Sequence, residues 1–206
     1  MKEEREEAMT RNEGGASGCR WNPWRVAGWS LAVLLLVLPL VAGAPWTVSD
    51  YVVAAVLFLS VGIPLELVVR KTSDAAYRVG VGTALVAAFL IVWVTGAVGI
   101  IGSEGHPANL LYLGTLALGL VGAFGTRFRP RGMARVMSGV AFALVGIAVA
   151  ALAAGWGSEG PVWPWEVLIL NGFLAALFAG SAVLFRRAAD AWPPAGAGSE
   201  GLLAPE

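Results

Sequence analysis

Long apolar runs constrain this chain more than any other feature of its sequence. Six runs of roughly 20 residues are separated by short polar connections, and a helix of that length crosses the roughly 30 Å hydrocarbon layer of a bilayer. Of the 206 residues, only 14% are charged and 57% are hydrophobic, whereas a soluble domain usually has about 25% charged residues. The pattern predicts an all-α membrane protein that crosses the bilayer several times.

The expected spans cover residues 25–44, 49–69, 77–101, 108–126, 133–156 and 165–186. Paired as neighbours, they predict a six-transmembrane-helix bundle built from three helical hairpins. This membrane domain is expected at residues 25–187, and the polar residues 1–24 and the Pro-, Gly- and Ala-rich residues 188–206 are expected to be disordered cytoplasmic tails.

Basic residues mark only one side of this arrangement. All 14 Lys and Arg lie in or beside the segment before the first span, the connections after spans two and four, and the end of span six. Because Lys and Arg are retained on the cytoplasmic side of a membrane, both termini are predicted to be cytoplasmic. The expected location is a bacterial inner membrane.

The hairpins share a sequence pattern. Each begins with Arg-Val and turns at a Ser followed by an acid, and the second and third turns both read GSEG, at residues 102–105 and 157–160. Repeats in membrane proteins often place a site at their interface. The alternative is the general similarity of any two hairpins with basic ends and apolar arms.

Glu66 is the clearest candidate for a functional charge, because an ionised group inside a bilayer is costly. Arg70 follows it by one helical turn, so an ion pair near the inner interface is the favoured interpretation. The alternative is a carboxylate that handles protons or cations beside a kink at Pro64. Thr95 and Asn171 are expected at similar depths, where they would form interhelical hydrogen bonds or, alternatively, line a solute pathway.

Acidic residues gather at the expected outer turns, where no fixed positive charge is present. They are Asp50, Glu104, Glu159 and Glu166. They could attract a cation, but Glu104 with the only histidine, His106, falls short of a zinc constellation. Capping and hydration of the turns is the simpler interpretation, with Ser49 or Asp50 as a cap of the second span. No metal or other cofactor is predicted.

Other function classes find little support. The single Cys19 excludes an internal disulfide framework, and the zero net charge and the absence of a recognition motif argue against a nucleic-acid partner. No nucleophile elbow, Walker loop or calcium-binding loop occurs, so the chain is not expected to be an enzyme. Small residues at four-residue spacing predict helix faces for close packing or self-association. They are Gly80, Ala84 and Ala88, then Gly146, Ala150 and Ala154, then Gly172, Ala176 and Gly180.

The run GIIGSEGHPANLLYLG at 99–114, followed by RFRPRGMAR and ILNGFLAALFAGSAVLFRRAA, resembles a family of small uncharacterised bacterial inner-membrane proteins. Their mark is a GIIGSE-x-x-PAN turn between two transmembrane helices, and the likeness covers about residues 76–189. The family form has Asp-Asn where this chain has Gly105-His106, which makes His106 a poor candidate for an essential ligand. The resemblance implies a membrane location, with no activity or site residues.

Three functions are consistent with these observations. The favoured one is a structural or accessory bundle protein that is embedded in the lipid bilayer and can self-associate through its small-residue helix faces. The alternative is a small transporter or channel-like module for a small solute or cation, using Glu66, Thr95, Asn171 and the acidic outer turns. The weakest is an intramembrane enzyme. A polar cavity at the midplane would favour transport, and dry packing would favour the structural role.

Overall fold

The structure, a computed structural model, describes residues 23–191. Its α-helices are α1 (Pro23–Val41), α2 (Val48–Lys71), α3 (Ala75–Ala97), α4 (Leu110–Gly125), α5 (Pro130–Ala154) and α6 (Trp165–Asp190), and a 3₁₀ turn (Pro107–Asn109) precedes α4. No strand occurs within 23–191, so the predicted all-α class is confirmed. Most of both predicted tails, with Cys19, lies outside the described residues.

Five of the described helices are long and apolar enough to cross a membrane. They are Val48–Lys71, Ala75–Ala97, Pro107–Gly125, Pro130–Ala154 and Trp165–Asp190. The apolar part of α1, Arg25–Val41, is shorter. Large apolar side chains are exposed along the helices, Leu118 at 75% and Phe142 at 77% among them, as a surface that faces lipid requires. The chain is a multi-pass integral membrane protein.

Two helices end at positions that differ from the apolar runs. The run predicted a helix through Ile101, but α3 ends at Ala97, because Gly99 has a φ of +82° and turns the chain. Ile100 and Ile101 are buried inside that turn, so their hydrophobicity reflects packing rather than helix. In contrast, α6 continues past residue 187 to Asp190, since Ala188 and Ala189 are buried against the bundle.

Contacts divide the chain into two units, of which the first ends at Leu59. Within it, Asp50 caps the start of α2. Its carboxylate accepts hydrogen bonds from the backbone nitrogen of Thr47 at 2.7 Å and from the Thr47 hydroxyl at 2.8 Å. Ser49 or Asp50 was predicted to cap this helix. Asp50 does so from the third position of α2, by bonding back to Thr47, the residue before the helix. The rings of Trp46 and Tyr51 meet edge to face beside it, with their centroids 5.3 Å apart.

The second unit begins at Ser60 and contains a ring of four packed helices. Helix α6 lies between α3 and α5, and α4 completes the ring by packing against α5 and α3. The centre is filled by large side chains that are fully buried. They are Ile91, Tyr112, Leu144, Leu174 and Phe185.

Arg78 fixes the connection from α2 to α3 within this unit. Its guanidinium donates to the carbonyl oxygens of Thr72 at 2.6 Å and Val69 at 2.9 Å, which satisfies carbonyls that the end of α2 leaves free. In the first turn of α3, the Tyr77 hydroxyl donates a hydrogen bond to the carbonyl oxygen of Phe128, which lies between α4 and α5, at 2.7 Å. The first turn of α3 and the connection that follows α4 are therefore joined at one end of the ring.

Some of the small residues bring helices close together, and others do not. A Cβ on Gly80 would lie 3.3 Å from Leu184 Cβ, and a Cβ on Gly119 would lie 2.9 Å from Val140 Cγ2. Nothing lies within 4 Å of the equivalent positions on Gly146, Gly172 or Gly180. The predicted face of α3 thus packs inside the unit, whereas these glycines of α5 and α6 point away from it.

The two GSEG turns touch at their first glycines. Gly102 and Gly157 have φ of +61° and +79°, and a Cβ on Gly157 would lie 2.9 Å from the backbone nitrogen of Gly102. The shared sequence therefore occurs where two turns need positive φ and a close backbone approach.

Gly157→Ala should destabilise the fold, because the new Cβ would enter the other turn and because a left-handed residue other than Gly costs about 1–2 kcal/mol. Gly105→Ala is the matched control within the same motif, since nothing lies within 4 Å of its added Cβ. The free energy of unfolding of the purified chain in detergent measures both. Equal changes in the two variants would show that the turns do not meet at these glycines.

Candidate functional site

The turn between α3 and α4 is organised by the side chain of Asn109, which is 3% exposed. Its Oδ1 accepts hydrogen bonds from the backbone nitrogens of Ile100 and Ile101, both at 3.0 Å. Its Nδ2 donates to the carbonyl oxygen of Ser103 at 2.8 Å and to that of Ile101 at 3.4 Å. The Asn109 amide thus forms hydrogen bonds with backbone groups that have no helical partner in this turn.

Gly99 makes room for this amide. A Cβ at position 99 would lie 2.6 Å from the Ser103 carbonyl oxygen and 2.9 Å from Asn109 Nδ2. Sequence reasoning did not single out Asn109, because it treated the residue as the start of the next helix. The signal was a lone amide at the edge of an apolar run, directly after a Gly-rich turn.

The turn between α3 and α4 also contains Glu104 and His106. Glu104 is exposed at its tip. His106 Nδ1 accepts a hydrogen bond from the backbone nitrogen of Ala108 at 3.2 Å and so caps the 3₁₀ turn, with its ring centroid 6.4 Å from that of Trp156. Within residues 23–191, no three His, Cys, Asp or Glu side chains are grouped so as to hold a metal ion.

Asn171 forms an interhelical hydrogen bond, as predicted, and its partner is Tyr112. The Tyr112 hydroxyl donates to Asn171 Oδ1 at 3.0 Å, and Asn171 Nδ2 donates to the Val167 carbonyl oxygen at 2.8 Å. Both side chains are almost fully buried. Sequence reasoning missed Tyr112, which was counted as part of an apolar run. The bond joins α4 to α6 across the ring.

Ser181 forms a second polar link between helices, which the sequence also did not indicate. Its hydroxyl donates to the Gly80 carbonyl oxygen at 2.8 Å, where α6 approaches α3 closely. Thr95 differs from both residues: it is buried, and its Oγ1 has no hydrogen-bond partner within the described part of the chain. The expected interhelical bond is thus present for Asn171 and lacking for Thr95.

Glu66 and Arg70 form the ion pair predicted from their spacing. Arg70 Nε lies 2.7 Å from Glu66 Oε1, and the side chains are 64% exposed for Arg70 and 18% exposed for Glu66. The carboxylate is therefore sheltered while the guanidinium reaches outward, as expected for an Arg near the end of a membrane helix. The pair lies near the end of α2.

Two cavities lie between α5 and α6. One has a volume of about 400 Å³ and mainly Ala, Val and Phe in its walls, and the other, of about 250 Å³, is lined by Arg131, Arg135 and Arg186 with their neighbours. Neither is lined by Glu66, Thr95 or Asn171. The candidate pathway residues are thus not brought together at either cavity.

The Tyr112–Asn171 bond should be measurable by a double-mutant cycle on the free energy of unfolding. Tyr112→Phe and Asn171→Leu should each destabilise the chain, with a coupling of about 0.6–1.7 kcal/mol, the range typical of hydrogen bonds between membrane helices. Ser138→Ala with Asn171→Leu is the control, because Ser138 donates to Ala134 of its own helix. Additivity of the first pair would mean that the bond contributes nothing.

The chain has no match among protein-family models, curated proteins or solved structures. Its own residues therefore carry the functional assignment. They establish a multi-pass membrane protein whose buried amides and hydroxyls mostly bond to one another or to the backbone.

Proposed function

We propose that the protein is a six-span structural or accessory component of a bacterial inner membrane, with both termini in the cytoplasm. Five spans follow from the length and apolarity of the helices. Helix α1 serves as the sixth: it has 19 residues, within the range of about 17–25 that suffices for a span. An even number of spans also keeps every basic segment on one side, as the retention of Lys and Arg requires.

The placement of charges within the second unit supports this sidedness. Arg and Lys residues lie in or beside the connections after α2 and α4, and the Tyr77–Phe128 hydrogen bond joins the first turn of α3 to the connection after α4. The turns with Glu104 and Glu159 meet through Gly102 and Gly157. Basic and acidic connections thus occupy different ends of the ring, with the basic end assigned to the cytoplasm.

The structural or accessory role rests on one observation: most buried polar side chains of the ring are already hydrogen-bonded, either across helices or to the backbone. Tyr112 bonds to Asn171, Ser181 bonds to Gly80, and Thr115 donates to the Leu111 carbonyl oxygen of its own helix. A solute pathway would need such groups to be free to replace water around the solute. Because these groups are already hydrogen-bonded, their main contribution is to stabilise the packed helices.

Helix faces that do not pack within the chain are available for association with other helices in the membrane. Gly146, Ala150 and Ala154 share one side of α5 and are exposed, and small residues let helices approach closely where lipid provides no hydrophobic drive. We therefore include self-association or a helical membrane partner in the proposal. Membership of the inner-membrane family with the GIIGSE-x-x-PAN turn is part of the same proposal.

A small transporter or channel-like module is the second candidate. The buried Thr95 hydroxyl without a partner in the described chain favours it, because such a group would be free to contact a solute. Glu66 is sheltered but already paired with Arg70. An enzymatic role ranks below both, since no catalytic motif occurs in the sequence.

Cysteine labelling tests the sidedness. In a Cys19→Ser background, Val48→Cys, Ser103→Cys and Ser158→Cys should react with a membrane-impermeant maleimide in intact cells, because these residues lie in or next to connections that face outward. Ser73→Cys should react only after permeabilisation, and a tag before residue 1 should be protected from external protease. Reaction of Ser73→Cys in intact cells would contradict the topology, and an accessible N-terminal tag would contradict the first span.

Co-purification from native membranes in mild detergent tests the accessory role. The chain, of 21.4 kDa, should be recovered in a larger complex of constant stoichiometry. Gly146→Leu with Ala150→Leu should break that complex while the chain stays folded, because the added bulk blocks close helix approach. Gly114→Leu is the control, since Gly114 is also exposed with nothing near it. Recovery of a folded monomer alone would contradict an accessory role.

A further inference from the structure

A groove runs along the outer surface between α5 and α6. It has a volume of about 400 Å³, and its walls include Ala141, Val145, Ala179 and Val183. Its other end reaches Ser138 and Arg186, where Arg186 Nη2 lies 3.5 Å from Ser138 Oγ. The groove is therefore apolar along its length and polar at the end where α5 begins and α6 finishes.

A basic cavity continues from that end. It has a volume of about 250 Å³ and is lined by Arg131, Arg135 and Arg186, together with Ala134, Ala189 and Asp190. Within the described chain, no carboxylate lies in ion-pair distance of these three guanidinium groups. The three cations with one carboxylate nearby leave a net positive charge at the mouth of an apolar groove.

The groove has the length of one membrane leaflet. On α6 it extends from Ala175 to Arg186, which corresponds to roughly 16 Å at 1.5 Å per residue. Half of a hydrocarbon layer of roughly 30 Å is roughly 15 Å. An apolar chain that starts at Arg186 would thus end near the middle of the bilayer.

We propose that this groove binds one anionic phospholipid, with an acyl chain along the apolar walls and its phosphate at Arg135 and Arg186. Guanidinium groups form paired hydrogen bonds with phosphate oxygens, and basic pockets between helices on the cytoplasmic side of membrane proteins bind anionic headgroups. The assignment of this end to the cytoplasmic leaflet rests on the proposed topology. Arg131 adds attraction at the rim of the cavity.

A second copy of the chain fits this groove less well. Two copies in one membrane have the same orientation, and a twofold interface places the same surface patch of each against the other. The basic ends of both grooves would then meet at the same depth, and like charges would repel. An anionic headgroup neutralises the three cations instead.

Native mass spectrometry of the full chain in neutral detergent provides the test, with phosphatidylglycerol and phosphatidylcholine as probes. Phosphatidylglycerol should bind more tightly. Arg135→Gln with Arg186→Gln should weaken its binding about 30-fold, which corresponds to about 2 kcal/mol for two Arg contacts. Arg127→Gln with Arg129→Gln removes the same charge outside the groove and should leave the affinity within about threefold of wild type.

A second pair of variants tests the apolar part. Ala179→Leu places bulk in the groove and should weaken phosphatidylglycerol binding, whereas Ala143→Leu, exposed on α5 outside the groove, should not. Circular dichroism establishes that all variants are folded. Equal affinity for the two lipids, or equal loss in both Arg pairs, would overturn the proposal. So would a dimer that Ala179→Leu dissociates without any change in lipid affinity.

This test does not depend on sidedness, because detergent micelles have no inner or outer leaflet. Loss of the lipid preference would leave the topology and the accessory role untouched. Conversely, a reversed topology in the labelling experiment would move the bound lipid to the other leaflet without removing it.

Discussion

The structure depends on the rule that a polar group inside a membrane must find its partner within the protein. Water is absent from the hydrocarbon layer, so an unsatisfied amide or hydroxyl costs several kcal/mol there. Helices satisfy most of the backbone, and the difficulty falls on the places where a helix stops. In this chain the side chain of Asn109 resolves it at the first GSEG turn, by bonding to the backbone of Ile100, Ile101 and Ser103.

The same rule explains why several residues serve two purposes. Arg78 belongs to the basic pattern from which the sidedness is predicted, and its guanidinium also closes the end of α2. Tyr112 fills the centre of the ring with its aromatic side chain, while its hydroxyl meets Asn171. A membrane bundle has few polar residues, so each one that is buried tends to join two elements.

Much of the architecture follows from linear patterns. Apolar runs predicted the helices, a four-residue spacing predicted the Glu66–Arg70 pair, and Ser49 or Asp50 was predicted to cap α2. These features depend on neighbours in the sequence. The predicted end of α3 was wrong, because Ile101 is apolar in a turn as well as in a helix. The partner of Asn171 was not predicted, because Tyr112 lies far from Asn171 in the sequence.

The sequence by itself determined the class of protein. The lengths of the apolar runs and the positions of Lys and Arg are properties of the linear sequence, and they suffice to recognise a chain that crosses a bilayer several times. Tertiary structure alone decided which small residues meet a neighbour, which turns touch, and where a groove remains between α5 and α6. Those contacts depend on how each helix is rotated about its own axis and on which helices pack against it. In lipid, where all helix faces are apolar, hydrophobicity along the chain does not distinguish the packed face from the exposed one.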